Sequence, residues 1–104
     1  MPPNVTVQAP TRLDAVNSGA FGNFLNHIVE AGAHRVILDL GALEYLSSAG
    51  VRVLLMVHQT LHARQGRLAL LGCRPAVREV LRICGIENLA PQAESIEAAR
   101  RWME

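Results

Sequence analysis

The chain has 104 residues, half of them hydrophobic and only four of them aromatic, and its ten Lys and Arg against nine Asp and Glu leave a net charge of +1. That length is one domain spanning residues 1–104 with a single aliphatic core, and near-neutrality offers no electrostatic footprint for nucleic acid or an anionic membrane. No stretch approaches the ~18 consecutive apolar residues of a membrane span, and Met1-Pro2-Pro3-Asn4 lacks the basic and apolar regions of a signal peptide, so the expected location is cytoplasmic.

The first element is Asn4-Val5-Thr6-Val7-Gln8, an alternating β-branched run that reads as a short strand ended by Pro10. Asp14 is placed to cap the helix that follows. Between residues 17 and 31, Phe21, Phe24, Leu25, Ile28 and Val29 recur at helical spacing and form one apolar stripe. Gly19 and Gly22 weaken that helix by about 1 kcal/mol each relative to Ala, and Gly32 marks its C-terminal turn.

Val36-Ile37-Leu38-Asp39-Leu40 is a nearly unbroken apolar run, the pattern of a strand buried on both faces, although a run this short also suits a buried helix segment. Asp39 is expected near the strand end or against a backbone N–H, since a buried carboxylate needs a partner. From Val51 to about Arg64 the spacing becomes helical, and between strand and helix lie Ser47, Ser48, Ala49 and Gly50. Serine favours a helix N-cap because its hydroxyl accepts a bond from an orphan backbone N–H. One cap needs one serine, so either Ser47 or Ser48 is left over, beside free N–H groups and the positive end of the helix dipole.

A second strand over residues 67–71 completes a strand–helix–strand unit of the parallel crossover kind. Pro75 sits at a first helical position, with Val77, Val80 and Leu81 facing inward and Gly85 as the stop. Residues 86–90 have room for a short last strand, which Pro91 confines to an edge. Ser95 is placed to cap the final helix, whose inner stripe is Ile96, Ala99 and Met103. Cys73 and Cys84, eleven apart with no C-x-x-C, read as two buried, reduced thiols.

His58 and His62 have the spacing of a two-histidine metal face, but no third ligand accompanies them and they read as helix-surface residues. A serine on a strand-to-helix turn also invites comparison with the G-x-S-x-G elbow of hydrolases. Leu46 stands where that motif needs its first glycine, and the chain is too short for the sheet and triad. No catalytic residue, metal or cofactor is therefore assigned, and the chain is not expected to be an enzyme.

The run Leu43-x-Tyr45-Leu46-Ser47-Ser48-Ala49-Gly50-Val51-Arg52-Val53-Leu54 resembles the signature of STAS domains, the fold of bacterial anti-sigma factor antagonists. The resemblance continues through Gly66–Gly72, Pro75–Leu81 and Cys84-Gly85-Ile86, covering about residues 10 to 100. It implies a mixed, mostly parallel α/β sheet of four to five strands with about four helices, although the chain has room for one opening strand where the family usually has two. It also implies phosphorylation of Ser48, which aligns with the family's acceptor, while Ser47 stands where the family commonly has Asp.

The function so implied is a protein-binding switch in transcription regulation. Its partner would be an anti-sigma factor with serine-kinase activity, and a serine phosphatase would reset it. The alternative keeps the fold and drops the switch: a constitutive STAS subunit of a lipid-transport or stress-signalling assembly. Helical spacing puts Ser48, Arg52, Met56 and Gln59 on one ridge, and with Ser47 they form the expected partner-binding surface. Val51, Leu54, Leu55 and Leu61 form the opposing stripe.

Overall fold

A computed structural model describes residues 3–103, the side chains of Glu87 and Met103 excepted. Met103, expected on the inner stripe of the last helix, therefore lies outside the described side chains. The elements run β1 (Asn4–Gln8), β2 (Arg12–Leu13), α1 (Ser18–Glu30), β3 (Arg35–Asp39), β4 (Tyr45–Leu46), α2 (Ser48–Ala63), β5 (Arg67–Leu71), α3 (Pro75–Ile83), a 3-10 turn (Ile86–Asn88), β6 (Gln92–Ala93) and α4 (Ile96–Met103). Four helices thus accompany a four-stranded sheet ordered β1-β3-β5-β6, whose pairs are all parallel, while β2 and β4 form a separate parallel pair.

The apolar run of β3 is explained by its position between β1 and β5, covered on both faces. On one face Val36, Leu38, Leu68 and Leu70 join the helical residues Leu25, Val29, Leu54, Val57, Leu61 and Leu81 in the main core. On the other, Ile37, Ala69 and Leu71 meet Ala99 and Ile96 of α4. Alternating strand residues thus serve two cores, which is what removes the polar positions from β3 and β5.

Several local expectations shift. The buried face of α1 is Ser18, Gly22, Leu25, Ile28 and Val29, so Phe24 lies off the core at 51% exposure. The side of α1 that meets α2 passes through Gly22, where a Cβ would stand 3.4 Å from Met56 Cε and Val53 Cγ2. Asp14 does not cap α1 directly. Its carboxylate accepts from the N–H groups of Val16 and Asn17, and its carbonyl receives Ser18 N–H, making the turn that leads into the helix.

Residues 86–90 hold no strand. Gly85 in the left-handed region starts a 3-10 turn, and the last strand begins only after Pro91, at the sheet edge as expected. Cys84 is exposed and Cys73 half-buried, both free, so only one of the two thiols approaches the burial expected of them. Burial pushes the Cys73 thiol above its usual range. Other expectations hold: Ser95 Oγ accepts from Ala98 N–H, Pro75 opens α3, and Asp39, at the end of β3, accepts from Gly41 N–H at 2.9 Å.

Candidate functional site

The start of α2 is built by three contacts. Ser47, extended at ψ 173, is the N-cap, and its hydroxyl accepts from Gly50 N–H at 3.3 Å. Its own N–H donates to the carbonyl of Leu13 at 3.0 Å, tying the helix start to β2. Gly50 then passes so close to that strand that a Cβ would fall 2.7 Å from the Leu13 carbonyl and 2.7 Å from Leu46 Cδ1. Only glycine fits, which is why Ser-Ala-Gly opens this helix.

These contacts divide the two serines. Ser47 is half-buried and occupied as the cap, whereas Ser48 is exposed at the first helical residue. Among the described residues the Ser48 hydroxyl has no hydrogen-bond partner. It stands where unpaired backbone N–H groups and the dipole favour negative charge. No acidic side chain occupies this first turn.

Arg52 and Gln59 are exposed on the same helix, and so is Met56, at 39%. The structure therefore brings Ser48, Arg52, Met56 and Gln59 out on one ridge, with the buried residues Val53, Leu54, Val57 and Leu61 on the other side. Val51 and Leu55 are half-buried at the borders of that stripe. Met56 leans on the space above Gly22, so the ridge borders α1.

Sequence spacing does not bring Arg12 and Tyr45 to this site, but the β2–β4 pair does, with Arg12 opposite Tyr45. The Arg12 guanidinium lies 4.7 Å from the centre of the Tyr45 ring and also faces the Asp14 carboxylate at 3.4 Å. Hydrogen bonds from the Val16 and Asn17 N–H groups, with the Arg12 guanidinium beside them, hold the Asp14 carboxyl below its ordinary range, the Val16 bond most strongly. Two-residue strands are too short to leave a period in the sequence. The available signal is that Tyr45 comes two residues before the N-cap.

His58 and His62 stack at 5.9 Å between ring centres on the far half of α2. They border an open groove of about 540 Å³ shared with Arg67, Leu89 and Trp102. Partial burial, and then the neighbouring His62, push the His58 imidazole below its usual range. Among the described residues no group of three or more His, Cys, Asp or Glu could hold a metal ion. No helix of the described chain is long and apolar enough to cross a membrane.

Comparison with known proteins gives the family of this fold. A Bordetella bronchiseptica protein, BtrV, assigned provisionally as an anti-sigma factor antagonist, is 51% identical over 71 residues, which are 68% of this chain and 61% of that protein. The chain thus spans about three fifths of the length of that relative. The structure of the anti-sigma factor antagonist SpoIIAA in its unphosphorylated form superposes with a TM-score of 0.81 at 23% identity, covering 97% of this chain and 90% of that one. SpoIIAA of Bacillus in the phosphorylated form gives 0.74 at 23% identity, with 96% and 91% covered. At such identity these two likenesses speak for the fold, and the family model carries the assignment. That model, the STAS domain, matches residues 2–99, and the chain belongs to the STAS domain family.

Proposed function

We propose that this chain is an anti-sigma factor antagonist, a regulatory binding module rather than an enzyme, whose contact with its partner is switched by phosphate on Ser48. The observation that carries the reading is the division of labour between the serines: Ser47 is committed to Gly50 N–H while the Ser48 hydroxyl is exposed and unbonded among the described residues. A kinase reaches a hydroxyl of the second kind without unpicking the helix start. BtrV, half identical over the matched region, carries the same functional name, and SpoIIAA is a protein of this fold known in both phosphorylation states.

The partner in this reading is a cytoplasmic anti-sigma factor with serine-kinase activity. It docks on the ridge of Ser48, Arg52, Met56 and Gln59, with Ser47 at its margin. Phosphate adds about −1.5 to −2 charge at the centre of that contact and ends it by desolvation and repulsion. Arg52, one turn along, is placed to meet a partner carboxylate before phosphorylation and the phosphate after it. A serine phosphatase restores the binding form.

One observation favours a second reading, in which the domain is a constitutive subunit of a larger assembly. Ser47 stands where the family commonly carries Asp, so a negative charge next to the acceptor is gone. The substitution spares the helix, because serine satisfies the orphan donor about as well as Asp at an N-cap. A pull-down from the native cytoplasm, with wild type and Ser48→Asp as baits, separates the two. The switch predicts a kinase-like partner on the wild-type bait, its loss on Ser48→Asp, and one added phosphate on Ser48 by intact and peptide mass after incubation with ATP. A partner held equally by both baits, phosphate on Ser47 alone, or phosphate on neither serine favours the constitutive reading instead.

A further inference from the structure

The two edges of the main sheet are treated very differently. At one end β6 is only two residues long and follows Pro91, and Arg78 bonds Gln92 and Glu94 across it at 3.0 and 3.2 Å. Short strands, prolines and charge are the usual guards against edge-to-edge association. At the other end β1 offers five residues, Asn-Val-Thr-Val-Gln, with no charge among them.

The pairing with β3 shows which backbone groups of β1 are left open. The Pro3 carbonyl accepts from the N–H groups of His34 and Arg35, and Ala9 N–H donates to Asp39, so the odd-numbered residues face β3. In a parallel ladder the alternate residues point both N–H and C=O the other way. Asn4, Thr6 and Gln8 therefore present their backbone donors and acceptors outward, and all three side chains are exposed. On the opposite face of the strand Val7 is buried and Val5 only half-buried.

We infer that β1 is a homodimerisation edge, pairing antiparallel with β1 of a second copy of this chain about a two-fold axis at Thr6. The outward groups then fall into step. Thr6 meets Thr6 of the second copy, and Asn4 meets Gln8 on either side, giving about six backbone hydrogen bonds. Side chains match as well: Thr opposite Thr and Asn opposite Gln are hydrogen-bonding cross-strand pairs, and Val5 meets Val7 of the second copy. A neutral edge permits this, since a charge at position 6 would lie directly against its own copy. The two four-stranded sheets become one of eight strands.

A five-residue strand pair buries less than the roughly 1,600 Å² of a standard interface, so the dimer is weak and concentration-dependent. The test is sedimentation equilibrium of the full chain from about 10 µM to about 1 mM, joined to residue-resolved amide hydrogen exchange at both ends of that range. The expected result is a rise toward dimer mass, with the Asn4, Thr6 and Gln8 amides gaining protection as it forms while Val5, Val7 and Ala9 are protected throughout. Thr6→Pro removes an outward donor without touching the ladder to β3, and Thr6→Lys sets two like charges in contact. Each should weaken association at least about tenfold while the circular dichroism spectrum stays native. Should one variant fail to fold, the other carries the test. A chain monomeric at the highest concentration overturns the proposal. So does a dimer in which the Thr6 amide exchanges freely, or one that survives whichever Thr6 variant folds.

Discussion

Replacing Ser47 with Ala removes the acceptor of the Gly50 N–H and is expected to cost about 0.5–2 kcal/mol of stability, the usual range for a lost N-cap. Ser48→Ala removes a hydroxyl that bonds nothing among the described residues and should leave the urea midpoint within experimental error of wild type. Equal losses for the two would mean that the cap is shared and that Ser48 is not free for chemistry. Two residues on, Gly50→Ala drives a methyl group to within 2.7 Å of the Leu13 carbonyl and Leu46 Cδ1. Backbone cannot swing aside as a side-chain tip does, so α2 must lift from β2. The expectation is a thermal midpoint lowered by more than for Ser47→Ala, with amide shifts displaced at Leu13 and Leu46. A Gly50→Ala variant as stable as wild type would show that the helix start is not anchored on β2.

Along the helices, packing is decided by where side chains are missing as much as by where they are large. Gly22 lets α2 close on α1, and Gly22→Leu must force the helices apart, at about 1–3 kcal/mol for an overpacked site. Met56 lies over that glycine but remains 39% exposed. Met56→Ala should therefore shift the midpoint little, against the 2–5 kcal/mol of a methionine buried in a core, and should weaken partner capture together with Arg52→Glu. Loss of stability without loss of binding would move the interface elsewhere. This pair of helices also marks the limit of what the sequence discloses. The switch from an unbroken apolar run to helical period across residues 40–51 locates β3, α2 and the serine turn, because burial on two faces and burial on one leave different periods. The apolar stripe of α1 places Phe21, Leu25, Ile28 and Val29 against the core and errs only at Phe24, since glycine has no weight in an apolar pattern and Gly22 takes a buried place on that face. Residues 86–90 fail for a related reason: Ile86 is buried and Leu89 is 48% exposed, a mixture that suits a turn as well as a strand. The approach of Arg12 to Tyr45 leaves no local signal, because tertiary pairing alone creates it.

At the scale of the whole molecule, the proposed switch acts on a small, nearly neutral body whose core lies on the far side of α2 from the ridge. Phosphate on Ser48 takes the net charge from +1 to about −0.5 to −1. None of that charge enters the core, since Ser48 is exposed and the buried residues Leu54 and Val57 lie on the other side of the helix. The modification also falls at the dipole-positive end of α2, one turn before Arg52 and with no acid in the first turn. An anion there stabilises a helix by about 0.3–1 kcal/mol at ordinary exposure. Phosphorylated domain should thus melt at the same temperature as the unmodified form or slightly above it, and the gain should shrink as salt is added. Its amide spectrum should change over residues 47–52 and at the β2–β4 pair while core resonances from β3 and β5 stay fixed. In this account partner binding is lost because the surface has changed sign, not because the domain has opened. A phosphorylated form that melts several degrees lower, or that moves the resonances of Leu38 and Leu70, would replace the surface switch with a conformational one.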